Sequence, residues 1–364
     1  SQYDLTLPSN EPKTQLGALI DSIAQKQQQP VVILIDEYDR PILDHLGMDD
    51  EHFKIALQNR DILRNFFGVL KKGSLQTALK FVFVTGISTF SKVSIFSTWN
   101  QLTDISLKKN FATFLGYTQE ELETFFQEHI QKMADNLDQT YEQTLELLKQ
   151  WYNGYRFSLH NPERVYNPIS ILNALDEENI LNYWFATGTP TYLVNLLRNK
   201  TNVILNLDNL EVSPAFISVY DLEHLPLETV FYQSGYLTIK QVKGKPVRKV
   251  ILGYPNREVY LSFTEVLLST LYQTSSQGIN EASYLVEALL DNNFEQSQKH
   301  IDNLLALIPH RLWHKVANDE TDEEKIITEE RFYQTIIYLA LYASGYMAEV
   351  EVINIGGFAD LVLK

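Results

Sequence analysis

The residues best placed to do chemistry are Asp36, Glu37 and Asp39, which follow directly on the apolar run Val31–Ile35 in VVILIDEYD. A continuous apolar run, rather than an alternating one, predicts a strand buried on both faces of a parallel sheet covered by helices. Ligands of such sheets lie at the carboxyl ends of the strands, so these acids stand where a ligand would be. An Asp-Glu pair after four or more hydrophobic residues has the form of a Walker B motif. There the Asp helps to hold Mg²⁺ and the Glu polarises the water that attacks a γ-phosphate. The same residues also fit a strand that ends in ordinary solvated acids.

A second apolar run, LKFVFVTGIS at 79–88, predicts a neighbouring strand ending in Thr85. A polar residue there suits a sensor of the γ-phosphate, and Thr85-Gly86 is equally a plain turn signal. A metal hydrolase using Asp36, Glu37 and Asp39 without nucleotide is disfavoured, because on a strand Asp36 and Glu37 would point to opposite faces.

The elements that must hold these groups follow from periodicity. Leu16, Leu19, Ile20 and Ile23 predict a helix over 14–27, and Phe53, Leu57, Leu63, Phe66, Phe67 and Leu70 predict another over 52–72. Residues 89–111 read as a loop with short elements. From Gly116 the pattern becomes helical. Thr118 and Glu121 have capping-box spacing, Tyr141–Tyr152 is stopped by Asn153-Gly154, and Asn167-Pro168 opens a further helix. Helix is expected again over 180–198 and 264–315.

Between these, residues 228–263 read as strands (FYQSGYLTIKQV, VRKVILGYPN and EVYLSF) around a turn at 243–246. Helix followed by hairpin is the outline of a winged-helix module, with Lys240, Lys243, Lys245, Arg248 and Lys249 as its basic residues. His310 and His314 stand at zinc-ligand spacing on one helix face without an evident third ligand. Residues 317–330 are acidic and mark an internal boundary.

The last segment carries Glu329 and Glu330 at the head of a nearly all-apolar helix, 328–345, then a strand MAEVEVINI, a Gly356-Gly357 turn, and FADLVLK with Asp360. Acids at the helix head also complement its dipole. Helix with Glu, strand, turn and strand with Asp is the first half of a PD-(D/E)XK nuclease core, whose carboxylates gather Mg²⁺ to charge a water.

Composition narrows the classes. The chain has 364 residues, 45% hydrophobic and 12% aromatic, enough for packed cores. Its net charge of −16 opposes passive coating of nucleic acid or an anionic membrane. There is no Cys, so no disulfide, thiolate zinc site or Cys nucleophile. No signal-like leader or span-length apolar run occurs, and the expected location is the cytoplasm.

The stretches LIDEYDRPI, FVTGISTFSKVSIFSTWNQLTDISL, LGYTQEEL, LKQWYNGYRF, VYNPISILN, NYWFATGTPTYL, FYQSGYLTI and LGYPNREVYLSF, with ERFYQTIIYLALYASGY and EVEVINIGGFAD further on, resemble the bacterial AAA-ATPase-like proteins that carry a C-terminal PD-(D/E)XK nuclease domain. The resemblance implies an α/β fold with a P-loop NTPase-like parallel sheet in 1–115. A helical lid and winged-helix-like region follow in 116–315, and the first half of a nuclease-like core in 325–364. It implies Asp36 and Glu37 as the Walker B pair, Thr85 as sensor, and Glu330 and Asp360 as nuclease acids. Asp36 and Asp360 would be metal ligands, with ATP and Mg²⁺ as cofactors. It implies DNA or a protein as partner and no membrane.

Arg60, Arg64 and Arg198 are candidate arginine fingers. The family pattern places Gly-Arg before the nuclease Asp, where this chain has Gly357-Phe358-Ala359. Neither a G-x-x-x-x-G-K-[ST] loop nor the nuclease E/Q-x-K lies in the expected place, and the expectation is a segment of a longer protein, inactive or nearly so by itself. The alternative is an inactive ATPase/nuclease-like scaffold that binds a protein or nucleic acid.

Overall fold

The computed structural model describes residues 11–88, 95, 102–184, 191–199, 207, 209–218, 222, 226–244, 248–272, 275–307, 337, 341, 348–354 and 357–363. The fold is mixed α/β with small sheets. Helix α1 (Pro12–Gln27) leads into β1 (Val31–Ile35), then α2 (Arg40–Leu43), α3 (Asp50–Phe67) and β2 (Leu79–Val84). A helical unit follows: α4 (Gln119–Phe125), α5 (Gln127–Asn136), α6 (Tyr141–Tyr152), the short strands β3 (Asn153–Tyr155) and β4 (Val165–Tyr166), and α7 (Pro168–Glu177). Next come α8 (Thr191–Asn199), β5 (Leu210–Val212), α9 (Pro214–Ser218), α10 (Leu227–Gln233), β6 (Thr238–Lys243) and β7 (Lys249–Gly253). The chain continues through α11 (Arg257–Tyr272), α12 (Ser275–Leu290) and α13 (Phe294–Ala306) to the hairpin β8 (Ala348–Asn354) and β9 (Gly357–Leu363).

The helix starts form where side chains can satisfy the first free N–H groups. Asp49 accepts from the amides of Glu51 and His52 at the head of α3. Thr118 with Glu121, and Thr140 with Gln143, close capping boxes on α4 and α6. Asn167 caps α7 with Pro168 in its first turn.

β1 and β2 pair in parallel, with Val32 opposite Phe81 and Leu34 opposite Phe83. The expectation of a strand covered on both faces is corrected here. Burial along β1 alternates, and Val32 (50% exposed), Leu34 (72%) and Phe81 (55%) face solvent. Val31, Ile33, Ile35, Val82 and Val84 turn the other way and pack on the core that contains Ile20 of α1. An apolar run marks a strand but does not say how many of its faces are covered.

Two further readings are overturned. EVYLSF is the beginning of α11, not a strand. Val259, Phe263 and Val266 recur at helical spacing and are buried, and Asn256 Oδ1 accepts the Val259 amide at 3.0 Å to start the helix. FYQS lies at the end of α10 and beyond it, and strand begins only at Thr238. β5, β7 and β6 form a three-stranded antiparallel sheet in the order β5-β7-β6. Part of the 180–198 stretch also departs from the expected helix, since α7 ends at Glu177 and residues 180–184 are non-helical.

Two cores organise these elements. One runs from Ile20 and Ile42 through Leu193, Phe231, Ile239, Leu252 and Phe263 to Leu285 and Leu304. The other belongs to the helical unit, with Leu122, Ile130, Met133, Leu148, Tyr152, Tyr166 and Ile171. They meet where Gly154, at φ +134, lies against the Pro255 backbone so closely that a Cβ would collide with the Pro255 carbonyl oxygen. Backbone strain and this collision together place Gly154→Ala among the severe substitutions, at roughly 3 kcal/mol or more. Urea unfolding should show that loss, against about 1 kcal/mol for removal of the exposed cap in Thr118→Ala.

Candidate functional site

The acid turn begins where β1 ends, at Ile35. Asp36 and Glu37 are therefore set by a turn, not by the alternation of a strand. Glu37 sits at φ +50, a left-handed conformation for a residue with a Cβ. The turn is joined to the exit of β2 along its length. The Thr85 amide donates to the Ile35 carbonyl at 2.8 Å, and the Tyr38 amide to the Thr85 carbonyl at 3.2 Å. The Thr85 hydroxyl donates to Asp36 Oδ1, which also accepts the Glu37 amide at 2.9 Å.

Asp39, the third acid, has a different task. It is 1% exposed, and its Oδ2 accepts both the amide and the hydroxyl of Ser88 at 2.5 Å, while Oδ1 accepts the Ile87 amide at 3.3 Å. The Tyr38 hydroxyl donates to the Ser88 carbonyl at 2.7 Å. Burial pushes the Asp39 carboxyl above its ordinary range, and the Ser88 and Ile87 donors act against that shift. Gly86 is required for this closeness, since a Cβ there would stand 2.5 Å from Tyr38 Cε1 and 2.6 Å from Asp39 Oδ1.

The site is thus a pair of exposed acids, Asp36 and Glu37, raised on a buried clasp. Glu37 Oε2 is 2.8 Å from the Arg40 guanidinium, with the two side chains 56% and 65% exposed. Arg40 is not among the arginines expected from sequence to act here. The signal was present, as an acid and an arginine three apart at the head of a short helix. The arginines proposed from sequence lie elsewhere. Arg60 and Arg64 are on α3, 3.2 and 3.8 Å from Asp61, and Arg198 is on α8.

Of the remaining candidates, Glu330, His310 and His314 lie outside the described residues. Asp360 lies in β9, between Ala359 and Leu361, which pair with Val352 and Val350. Among the described residues no group of three or more His, Asp or Glu is gathered to hold a metal. The basic residues of the β6–β7 hairpin are partly engaged. Lys240 Nζ donates to the Tyr254 carbonyl at 2.6 Å, Lys249 pairs with Glu211, and Arg248 lies against His160. Lys245 is outside the described residues.

Ligands of open α/β sheets bind beyond the carboxyl ends of the strands, and Asp36 and Thr85 stand at those ends of β1 and β2. Residues 1–96 match the family model for AAA-ATPase-like proteins, described as "Predicted AAA-ATPase". A protein of Azotobacter chroococcum mcd 1, described as "Uncharacterized protein in vnfD 5'region", is 31% identical over 354 residues. That alignment covers 97% of this chain and 63% of the relative, so the chain spans under two thirds of the relative's length. No solved structure matches the chain. The AAA-ATPase-like match covers β1, the acid turn, α3 and β2, which is the part of the chain that builds the site. Among the described residues, no helix is long and apolar enough to cross a membrane.

The two kinds of acid in this region should respond differently to removal. Asp39→Ala leaves the Ser88 and Ile87 amides without their acceptor and should cost about 2–4 kcal/mol in denaturant unfolding. Asp36→Ala and Glu37→Ala, at exposed positions, should stay within about 1 kcal/mol.

Proposed function

We propose that the AAA-ATPase-like region binds ATP and, in the longer polypeptide, hydrolyses it. The observation that carries this reading is the Thr85 hydroxyl bound to the Asp36 carboxylate across the carboxyl ends of two parallel strands. The donor set at that point, a carboxylate and a hydroxyl, consists of hard oxygens and suits Mg²⁺. Since no larger acid cluster accompanies it among the described residues, the ion would arrive with the phosphates rather than sit in a protein cage. When bound, Mg²⁺ supplies charge neutralisation on the β- and γ-oxygens.

Glu37 then orients and polarises a water. The water oxygen bonds to the γ-phosphorus, the bond from that phosphorus to the β–γ bridging oxygen breaks, and the water's proton passes to solvent or phosphate. Thr85 keeps Asp36 fixed, and Asp39 keeps the whole turn fixed by holding residues 87 and 88.

The finer part of the proposal concerns the C-terminal segment. We infer a Mg²⁺-dependent PD-(D/E)XK nuclease acting on nucleic acid in the intact protein, with Asp360 and Glu330 as its acids. The observation in favour is the antiparallel β8–β9 hairpin with Asp360 in its second strand. Helix α10 followed by the β6–β7 hairpin likewise fits the winged-helix outline. A second reading, an inactive scaffold that binds a protein or nucleic-acid partner, is favoured by one contact, the pairing of Glu37 with Arg40.

Two measurements decide between them. Mg²⁺–ATP should raise the melting temperature of the chain, by the equivalent of about 2.7 kcal/mol at a hundredfold excess over Kd. Asp36→Asn should abolish that rise, and Glu37→Gln should keep it while lowering hydrolysis by the intact protein on the order of 10²-fold. No rise with either wild type or variants overturns the nucleotide reading in favour of the scaffold. For the nuclease, Asp360→Ala in the intact protein should abolish Mg²⁺-dependent DNA cleavage while leaving the ATP-induced rise unchanged.

A further inference from the structure

The chain carries an excess of acid, yet one surface gathers cations. β6 is an outer strand of the β5-β7-β6 sheet, and residues 156–164, which join β3 to β4, run beside it. The Arg156 amide donates to the Thr238 hydroxyl at 2.8 Å, and Arg164 Nη2 to the Lys240 carbonyl at 3.4 Å. The Arg156 guanidinium keeps the segment folded by donating to the carbonyls of Ser158 at 2.9 Å and Asn161 at 3.0 Å. Along this segment, the three strands and the head of β7, the described cations are Arg156, Arg164, Lys240, Lys243, Arg248 and Lys249. The described acids are Glu163 and Glu211.

Like charges are set together here. Lys243 and Lys249 stand directly opposite one another on β6 and β7, a pairing that costs stability in a sheet. Glu211 answers Lys249, and among the described residues no acid is paired with Arg164, Lys243 or Arg248. Arg248 Nη1 stands 3.1 and 3.2 Å from the two ring nitrogens of His160, near enough to equal that the guanidinium lies over the ring face. The chain has 46 Asp and Glu against 30 Lys and Arg, so carboxylates to neutralise this surface were abundant. A local rule broken without compensation is what a functional surface looks like.

The chemistry of the surface selects the partner. No large apolar residue described in 156–164, β6 or β7 is exposed. A protein interface or a membrane-binding face is built around apolar or aromatic anchors, and a single nucleic-acid strand is held by rings on which its bases stack. Helix α10, which precedes the hairpin, has no Lys or Arg to reach into a groove, and Leu227, Thr229, Val230 and Phe231 are buried. What an exposed, purely charged ridge does fit is the phosphate backbone of a duplex. From Lys240 to Lys243 the strand runs about 10 Å, a length along which a duplex carries roughly six phosphates.

We propose that the open edge of β6, together with residues 156–164, is a docking surface for duplex DNA, on which Arg164, Lys243 and Arg248 contact backbone phosphates without reading sequence. It rests on the reading that the intact protein acts on nucleic acid, and it adds where the duplex lies. Arg156 is a positioning residue that shapes the segment. Measured as binding in the absence of metal, docking is separate from cleavage, so loss of the one and loss of the other are distinct results.

The test is made on the whole chain, by fluorescence anisotropy of a labelled 20-base-pair duplex of mixed sequence in EDTA, with salt varied from about 50 to about 200 mM. Wild type should bind with an affinity that falls linearly with salt on logarithmic axes. Arg164→Ala, Lys243→Ala and Arg248→Ala combined should make that slope shallower by about 2.7 and weaken binding near 0.1 M salt on the order of 10²-fold. A control that removes the same charge elsewhere, Lys54→Ala with Lys71→Ala and Lys72→Ala, should keep the wild-type slope. No binding by wild type at the lowest salt, or equal losses in the two triple variants, overturns the proposal. Tighter binding to the single strand, or to polyglutamate, overturns it too and assigns the surface to that partner. Should the first triple variant fail to fold, Lys243→Ala alone takes its place. Its slope should change by about 0.9, and an unchanged slope refutes the surface.

Discussion

The candidate site depends on a buried carboxylate that does no chemistry of its own. Asp39 draws in the Ser88 amide and hydroxyl and the Ile87 amide, and so fixes the chain leaving β2 against the chain leaving β1. Charge-assisted hydrogen bonds of this kind are among the stronger ones available to a protein. Everything nearby accommodates them. Gly86 omits a side chain to let Tyr38 and Asp39 approach, Tyr38 adds a second tie to Ser88, and Glu37 accepts a left-handed backbone. The result is that Asp36 and Glu37 can be exposed and yet held in place, which is what a site for a charged ligand needs.

The same economy appears at the second junction. The helical unit has a core of its own, and the ties between it and the rest include a short corner with a glycine, an arginine–indole contact (Arg257 over Trp151) and an inward-facing acid (Glu258), beside the Arg156 amide bonded to the Thr238 hydroxyl. Both buried acids act at places where two segments of different origin must be kept in register. Both are met by donors, Asp39 by those of residues 87 and 88 and Glu258 by the Trp184 amide at 2.8 Å.

Much of this architecture was legible in sequence, for local reasons. Thr118 with Glu121, Tyr141–Tyr152 ended by Asn153-Gly154, and Asn167-Pro168 are short-range signals whose physics is complete within one turn. VVILI and LKFVFV announce strands by composition alone, and Thr85 stands out in the sequence as the polar residue that ends its strand. What sequence did not carry was tertiary. The alternating look of EVYLSF came from residues that are buried around a helix in a crowded core, so a period of two was read where 3.6 applied. The exposure of Leu34 depends on which elements cover the sheet. The roles of Asp39 and Glu258 depend on partners roughly 50 to 90 residues away, and no periodicity reports such a pairing.

The uncovered face of β1 and β2 has a colloidal consequence. Val32, Leu34 and Phe81 form an apolar strip on a protein of net charge −16. Mutual repulsion keeps such strips apart at low ionic strength, but its range shrinks to about 8 Å at physiological salt. Salt therefore removes the repulsion and leaves the stickiness untouched. For this chain, added salt favours association where a protein with a fully polar surface would tolerate it, and dilute buffers are the conditions in which it stays dispersed.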